Sequence, residues 1–225
     1  MKKVLIINLI LSLSLFPQTF RVEKVSGKVT VQKGTSEKWT AVKVGNSLSA
    51  NDLLQTGKNS SAQISNGKEK FTLKSTSAIM PGSIKRISQN DLLLALTLED
   101  IKSLPKNKKN SNTKSTAVYG SELNNNEVKT SLPSDIGIKK LNGAKQLAES
   151  GFRESSLLVA KETFRKYPET QNLIPERIYF ADIFEKLSLY EEAQKEFNQI
   201  YSMNISFKEK ALVKKRIDQL SQKLQ

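Results

Sequence analysis

Hydrophobic and polar positions follow a two-residue alternation in the first part of the chain and a period near 3.6 from about residue 135 onward. The first pattern predicts strands at Phe20 to Val25 and Lys28 to Gln32 around Ser26-Gly27, with Val29 and Val31 on one face. Trp39 to Val44 reads as another strand, and the lone Trp39 is expected in the β core, because a large half-buried aromatic fits a pleated strand. Gly45-Asn46, Gly57-Lys58-Asn59 and Asn66-Gly67 mark turns, because Gly and Asn tolerate positive φ. Asn66-Gly67, between SAQIS and EKFTLK, is the clearest hairpin signal. Strands are also predicted at Ser77 to Met80, Ser83 to Ser88 and Asp91 to Leu98. The last of these, in DLLLALTLEDIKSL, fits a buried strand or a helix start, and is read as a strand because the preceding elements are β.

The second pattern predicts helices. Ile138, Leu141, Ala144 and Ala148 form one stripe, ended by Gly151. Leu157, Ala160, Phe164 and Tyr167 form a second, stopped by Pro168. Pro175 opens a third with Ile178, Ala181 and Phe184, where a missing backbone donor costs nothing. Tyr190, Ala193, Phe197 and Ile200 build a fourth. A last helix, about Phe207 to Leu224, carries Phe207, Val213, Ile217, Leu220 and Leu224 and serves as a cap.

Two stretches fall outside both patterns. Lys2 and Lys3, the apolar run Val4 to Phe16 and then Pro17-Gln18-Thr19 predict a signal peptide over residues 1–19, cut near Gln18. The run is short for a bilayer span, which takes about 20 apolar residues, so an uncleaved anchor is the lesser reading. From Pro105 the chain turns rich in Asn, Lys and Ser, and residues 106–134 read as a polar linker.

The order of Gly-Lys-Val-Thr-Val, one Trp, Val-Gly followed by Leu, Asn-Asp-Leu-Leu-Gln-Thr-Gly, Ser-Ala-Gln-Ile and Asn-Gly resembles the FecR-type domain of bacterial envelope proteins, over residues 20–105. Thr116-Ala117-Val118-Tyr119-Gly120-Ser121-Glu122 resembles the stretch that closes many such domains, implying a late edge strand at 115–119. Phe180-Ala181, Phe184, Tyr190-Glu191-Glu192-Ala193, Phe197 and Ile200 resemble a tetratricopeptide hairpin, and Gly151-Phe152 to Pro168 a looser copy. The expected fold class is therefore α+β in two domains: an all-β sandwich or roll at 20–105, and all-α hairpins with a capping helix at 135–225. The β domain is expected to stand without the helical one.

Composition narrows the chemistry. The 225 residues contain no His and no Cys, which removes Cys/His zinc sites, imidazole bases and Ser-His-Asp or Cys-His pairs. Carboxylates remain, and a pair can hydrolyse glycosides if held with unequal pKa values. The acids of the β region are Glu23, Glu37, Asp52, Glu69, Asp91, Glu99 and Asp100, most of them at turns or beside lysines. No catalytic residue, cofactor or metal ligand is predicted. The net charge of +14 is spread over every part of the chain, and lysines outnumber arginines, which does not suit base readout. Contact with an acidic envelope surface fits better than nucleic acid.

The resemblances imply an exported, periplasmic or secreted, non-catalytic binding or scaffold protein, with helical repeats for protein–protein interaction and the β domain for docking or sensing. In the regulators that name the FecR-type domain it passes a signal to an anti-sigma segment inside the cell. Here the apolar segment runs at once into the β region, which turns the expectation from signalling towards scaffolding. A glycan- or peptidoglycan-binding module is the alternative, and a carboxylate-based hydrolase the third reading.

Overall fold

A computed structural model describes residues 19–103 and 134–225. Residues 1–18 of the signal expected at 1–19, the linker up to residue 133 and the strand at 115–119 lie outside the described residues. Eight strands come first: β1 Thr19–Ser26, β2 Val29–Gln32, β3 Trp39–Ala41, β4 Ser47–Ser49, β5 Leu53–Thr56, β6 Ser61–Ser65, β7 Lys70–Leu73 and β8 Ala78–Ile79. They form two antiparallel sheets, ordered β4-β1-β6-β7 and β3-β2-β5-β8. Alternation decides which side of each strand is covered: Phe20, Val22, Ile64 and Phe71 of the first sheet meet Val29, Val31, Leu54 and Ile79 of the second in one core.

The chain passes from the first sheet to the second at Gly27, whose φ is +71°. A Cβ at Gly27 would overlap the Ser60 hydroxyl, which accepts from the Lys28 amide at 2.8 Å and donates to the Lys58 carbonyl at 3.0 Å. Asn66-Gly67 turns the β6–β7 hairpin as the sequence predicts. The Asn66 side chain accepts from the amides of Lys68 (3.0 Å) and Glu69 (2.7 Å), fixing the register Ile64↔Phe71.

Three sequence expectations fail here. Asp91 to Leu98 is not a strand, because it lies inside α1, Gln89–Ser103. Ser83 to Ser88 is not a strand either, since Pro81–Ser83 is a short 3-10 turn and the residues after it are irregular. Leu92 and Leu96, four apart, face the helical core while Leu94 stays exposed, whereas a strand would put all three on one face. Trp39 is not a core residue: β3 is an edge strand exposed along its length, with Trp39 36% exposed. The short strands β4 and β5 have no separate sequence signal.

The remaining helices are α2 Ser134–Glu149, α3 Arg153–Lys166, α4 Ile174–Lys186, α5 Tyr190–Tyr201 and α6 Phe207–Lys223, with a 3-10 turn at Pro168–Asn172 between α3 and α4. Gly151, at φ +87°, lets Phe152 return its amide to the Leu147 carbonyl at 2.9 Å and ends α2 where expected. The buried stripe of α2 is Gly137, Leu141, Ala144 and Ala148. Ile138 sits about 100° from that stripe and is 40% exposed, a correction to the sequence reading. On α6, Val213 and Leu220 are buried and Ile217 packs beside them, but Phe207 and Leu224 are exposed.

The two parts share side chains. Leu147 of α2 and Phe152 at the α2–α3 turn are buried in the β core, and the Phe152 ring meets Phe71 edge-on at 6.5 Å between centroids. Each such burial contributes about 1.5–3 kcal/mol. Helix α2 also covers β8, whose other side pairs with β5. Gln146 donates to the Ser77 hydroxyl (2.7 Å) and accepts from the Lys74 amide (2.8 Å), while Asn142 donates to the Thr76 carbonyl (2.8 Å). Gly143 permits this approach, because a Cβ there would overlap the Ala78 carbonyl oxygen. Helix α1, in turn, packs against α3 in the helical core, so the stretch 20–105 includes a helix that belongs to the other layer. The β layer therefore completes its core with Leu147 and Phe152 of the helical part.

Candidate functional site

Helical periodicity puts Lys161 and Arg165 of α3 one turn apart, and Glu99 and Lys102 of α1 three residues apart, so each pair shares a face. These faces meet α4 and α5 around a cleft of about 500 Å³, lined also by Asp100, Phe164, Gln171, Arg177, Glu196 and Gln199. Glu99 accepts from Lys102 Nζ at 2.6 Å and from Arg165 Nε at 2.7 Å. Asp100 accepts from Lys195 at 2.7 Å. Glu196, 8% exposed, pairs with Lys161 and lies 3.5 Å from Arg177, whose guanidinium also donates to Gln199 at 3.1 Å.

Electrostatics follows from this pairing. Burial works to raise the Glu99 carboxyl, but the hydrogen bonds and charges of Lys102 and Arg165 outweigh it and hold the group below its ordinary value. The hydrogen bond to Asp100 raises the Lys195 ammonium against a smaller desolvation effect. Three carboxylates thus line one cleft, each neutralised by a neighbouring cation. A glycosidic general acid needs a raised pKa, and Glu99 is shifted the other way.

The other acids named from the sequence stand elsewhere. Asp52, 5% exposed, accepts from the amides of Ser49 (2.9 Å) and Gly34 (3.2 Å) and ties two loops together. Glu23 pairs with Lys70 at 2.9 Å and Glu69 with Arg86 at 3.5 Å. Asp91 accepts from the Ser88 hydroxyl at 2.7 Å, where α1 begins. Glu37 is exposed. Among the described residues, no group of three or more acidic side chains gathers as metal ligands.

Of the acids named from the sequence, Glu99 and Asp100 line this cleft, which the sequence did not predict, and Lys161, Arg165, Arg177 and Glu196 were missed. Their polar positions alternate with the buried stripes of α3, α4 and α5, a signal of a shared polar face but not of which faces meet. No helix among the described residues is long and apolar enough to cross a membrane. Comparisons with protein-family models, with curated proteins and with solved structures each return no match.

Proposed function

We propose that this chain is an exported, non-catalytic binding or scaffold protein of the bacterial cell envelope, in which the helical hairpins hold a partner polypeptide and the β layer docks or senses. The observation that carries this reading is the open cleft between α1, α3, α4 and α5, walled by charged groups on rigid helices. Small-molecule sites are mostly apolar with a few polar groups. This one is mostly charged, with Phe164 as its large apolar side chain. An extended peptide bearing both signs of charge matches it, by exchanging its own groups for some of the internal ion pairs.

Gln199 is exposed at this cleft, so Gln199→Trp fills it without touching the core. Envelope proteins retained by the immobilised parent chain are expected to be lost from the variant, with an unchanged circular dichroism spectrum. Equal retention by parent and variant contradicts the assignment.

The exposure of Trp39 on an edge strand favours a second reading, a glycan or peptidoglycan contact through the β layer. Under that reading, Trp39→Ala lowers sedimentation with purified cell-wall sacculi at moderate salt. Under the first it leaves sedimentation unchanged.

A further inference from the structure

Helix α6 carries six basic and two acidic side chains, and the fold sorts them. Arg216 and Lys223 turn inward to α4, pairing with Asp182 and Glu185. Lys208, Lys210, Lys214 and Lys215 are exposed and have no carboxylate within ion-pair distance among the described residues. Glu209 is spent on the helix start, accepting from the Ser206 amide at 2.9 Å and hydroxyl at 2.6 Å, so Asp218 is the one acid left on the outer side of α6.

Two apolar residues stand among these lysines. Phe207 is 89% exposed and Leu212 49% exposed. At about 100° per residue, Phe207, Ala211 and Lys215 form one ridge with Lys208 and Leu212 beside it, opposite buried Val213 and Leu220. A full capping box between Ser206 and Glu209 fixes the first turn, so Phe207 is held outward on an ordered helix.

We infer that this outer face of α6 docks on an anionic lipid bilayer surface. The lysines match a plane of phosphate headgroups, and Phe207 and Leu212 match the headgroup–acyl boundary just beneath it. These groups come from the outer side of a single helix and not from a cleft between elements, which suits a plane better than an extended peptide. This contact goes beyond the cleft reading and uses none of its residues.

Residues 4–16 are apolar apart from Asn8, Ser12 and Ser14, so the readout is taken at α6: Phe207→Trp in a Trp39→Phe full-length chain, titrated with phosphatidylcholine vesicles with and without phosphatidylglycerol. The expected result is a blue shift of the residue-207 emission on anionic vesicles only, weakened by salt. Adding Lys208→Glu and Lys215→Glu is expected to weaken the apparent affinity about tenfold or more. No shift, an equal shift on zwitterionic vesicles, indifference to charge reversal, or an equal shift with soluble polyglutamate each overturns the inference. The last of these would assign the face to an acidic protein.

Discussion

Glu196 is the residue on which the cleft depends most. It is buried between Lys161 and Arg177, and truncating it leaves two cations in a poorly hydrated place. Glu196→Ala is expected to lower unfolding free energy by about 2–4 kcal/mol in urea titration. A loss within error would mean that the pair is solvated. Glu99 gives a pH dependence of known sign. Its folded pKa is depressed, so its contribution is present above the ordinary value of 4.5 and is lost as pH falls through the lowered folded value. The stability gap between the parent and Glu99→Gln should therefore hold steady near neutrality and close in acid below about 4.5, by urea midpoints across pH. Residues with local roles were legible in the sequence: Asn66-Gly67 and Gly151 stand where their conformational freedom is used. Glu196 was not, because its partners come from separate helices.

At the scale of elements, α1 shows what local pattern leaves open. Its leucine run has strand-like density, and the β context tipped the reading. A helix signal was nonetheless present in Ser88-Gln89-Asn90-Asp91, where the Ser88 hydroxyl accepts from the Asp91 amide at 3.1 Å and donates to the Asp91 carboxylate at 2.7 Å. Ser88→Ala should cost about 1 kcal/mol by the same urea measurement. An unchanged midpoint would mean that α1 is held by packing of Leu92 and Leu96 alone. For α2 the period was legible and the face was shifted. Gly137 and Lys140, buried against the Pro168–Asn172 turn and Tyr167, rotate the stripe away from Ile138, and no single-helix pattern contains that neighbour.

For the whole molecule, the α+β class was legible, because it rests on periodicity, but α1 of the helical layer lies within the stretch read as β. The union of the layers was not legible, since nothing in the period of α2 says that Leu147 enters a β core. Phe152→Ala, which empties a site shared by both layers, is expected to cost about 3–5 kcal/mol and to lower β and helical signals together in one transition. Two separate transitions in calorimetry would mean independent domains. Because the layers share this core, removing the helices is no clean test of partner binding, and the test belongs on the intact chain. A photocrosslinking amino acid at Gln199, in the cleft, is compared with one at Thr72, exposed on β7 away from it. In envelope preparations, the account predicts a discrete protein adduct from position 199 and none of that mass from position 72. No adduct from 199, or the same adduct from both, would contradict it.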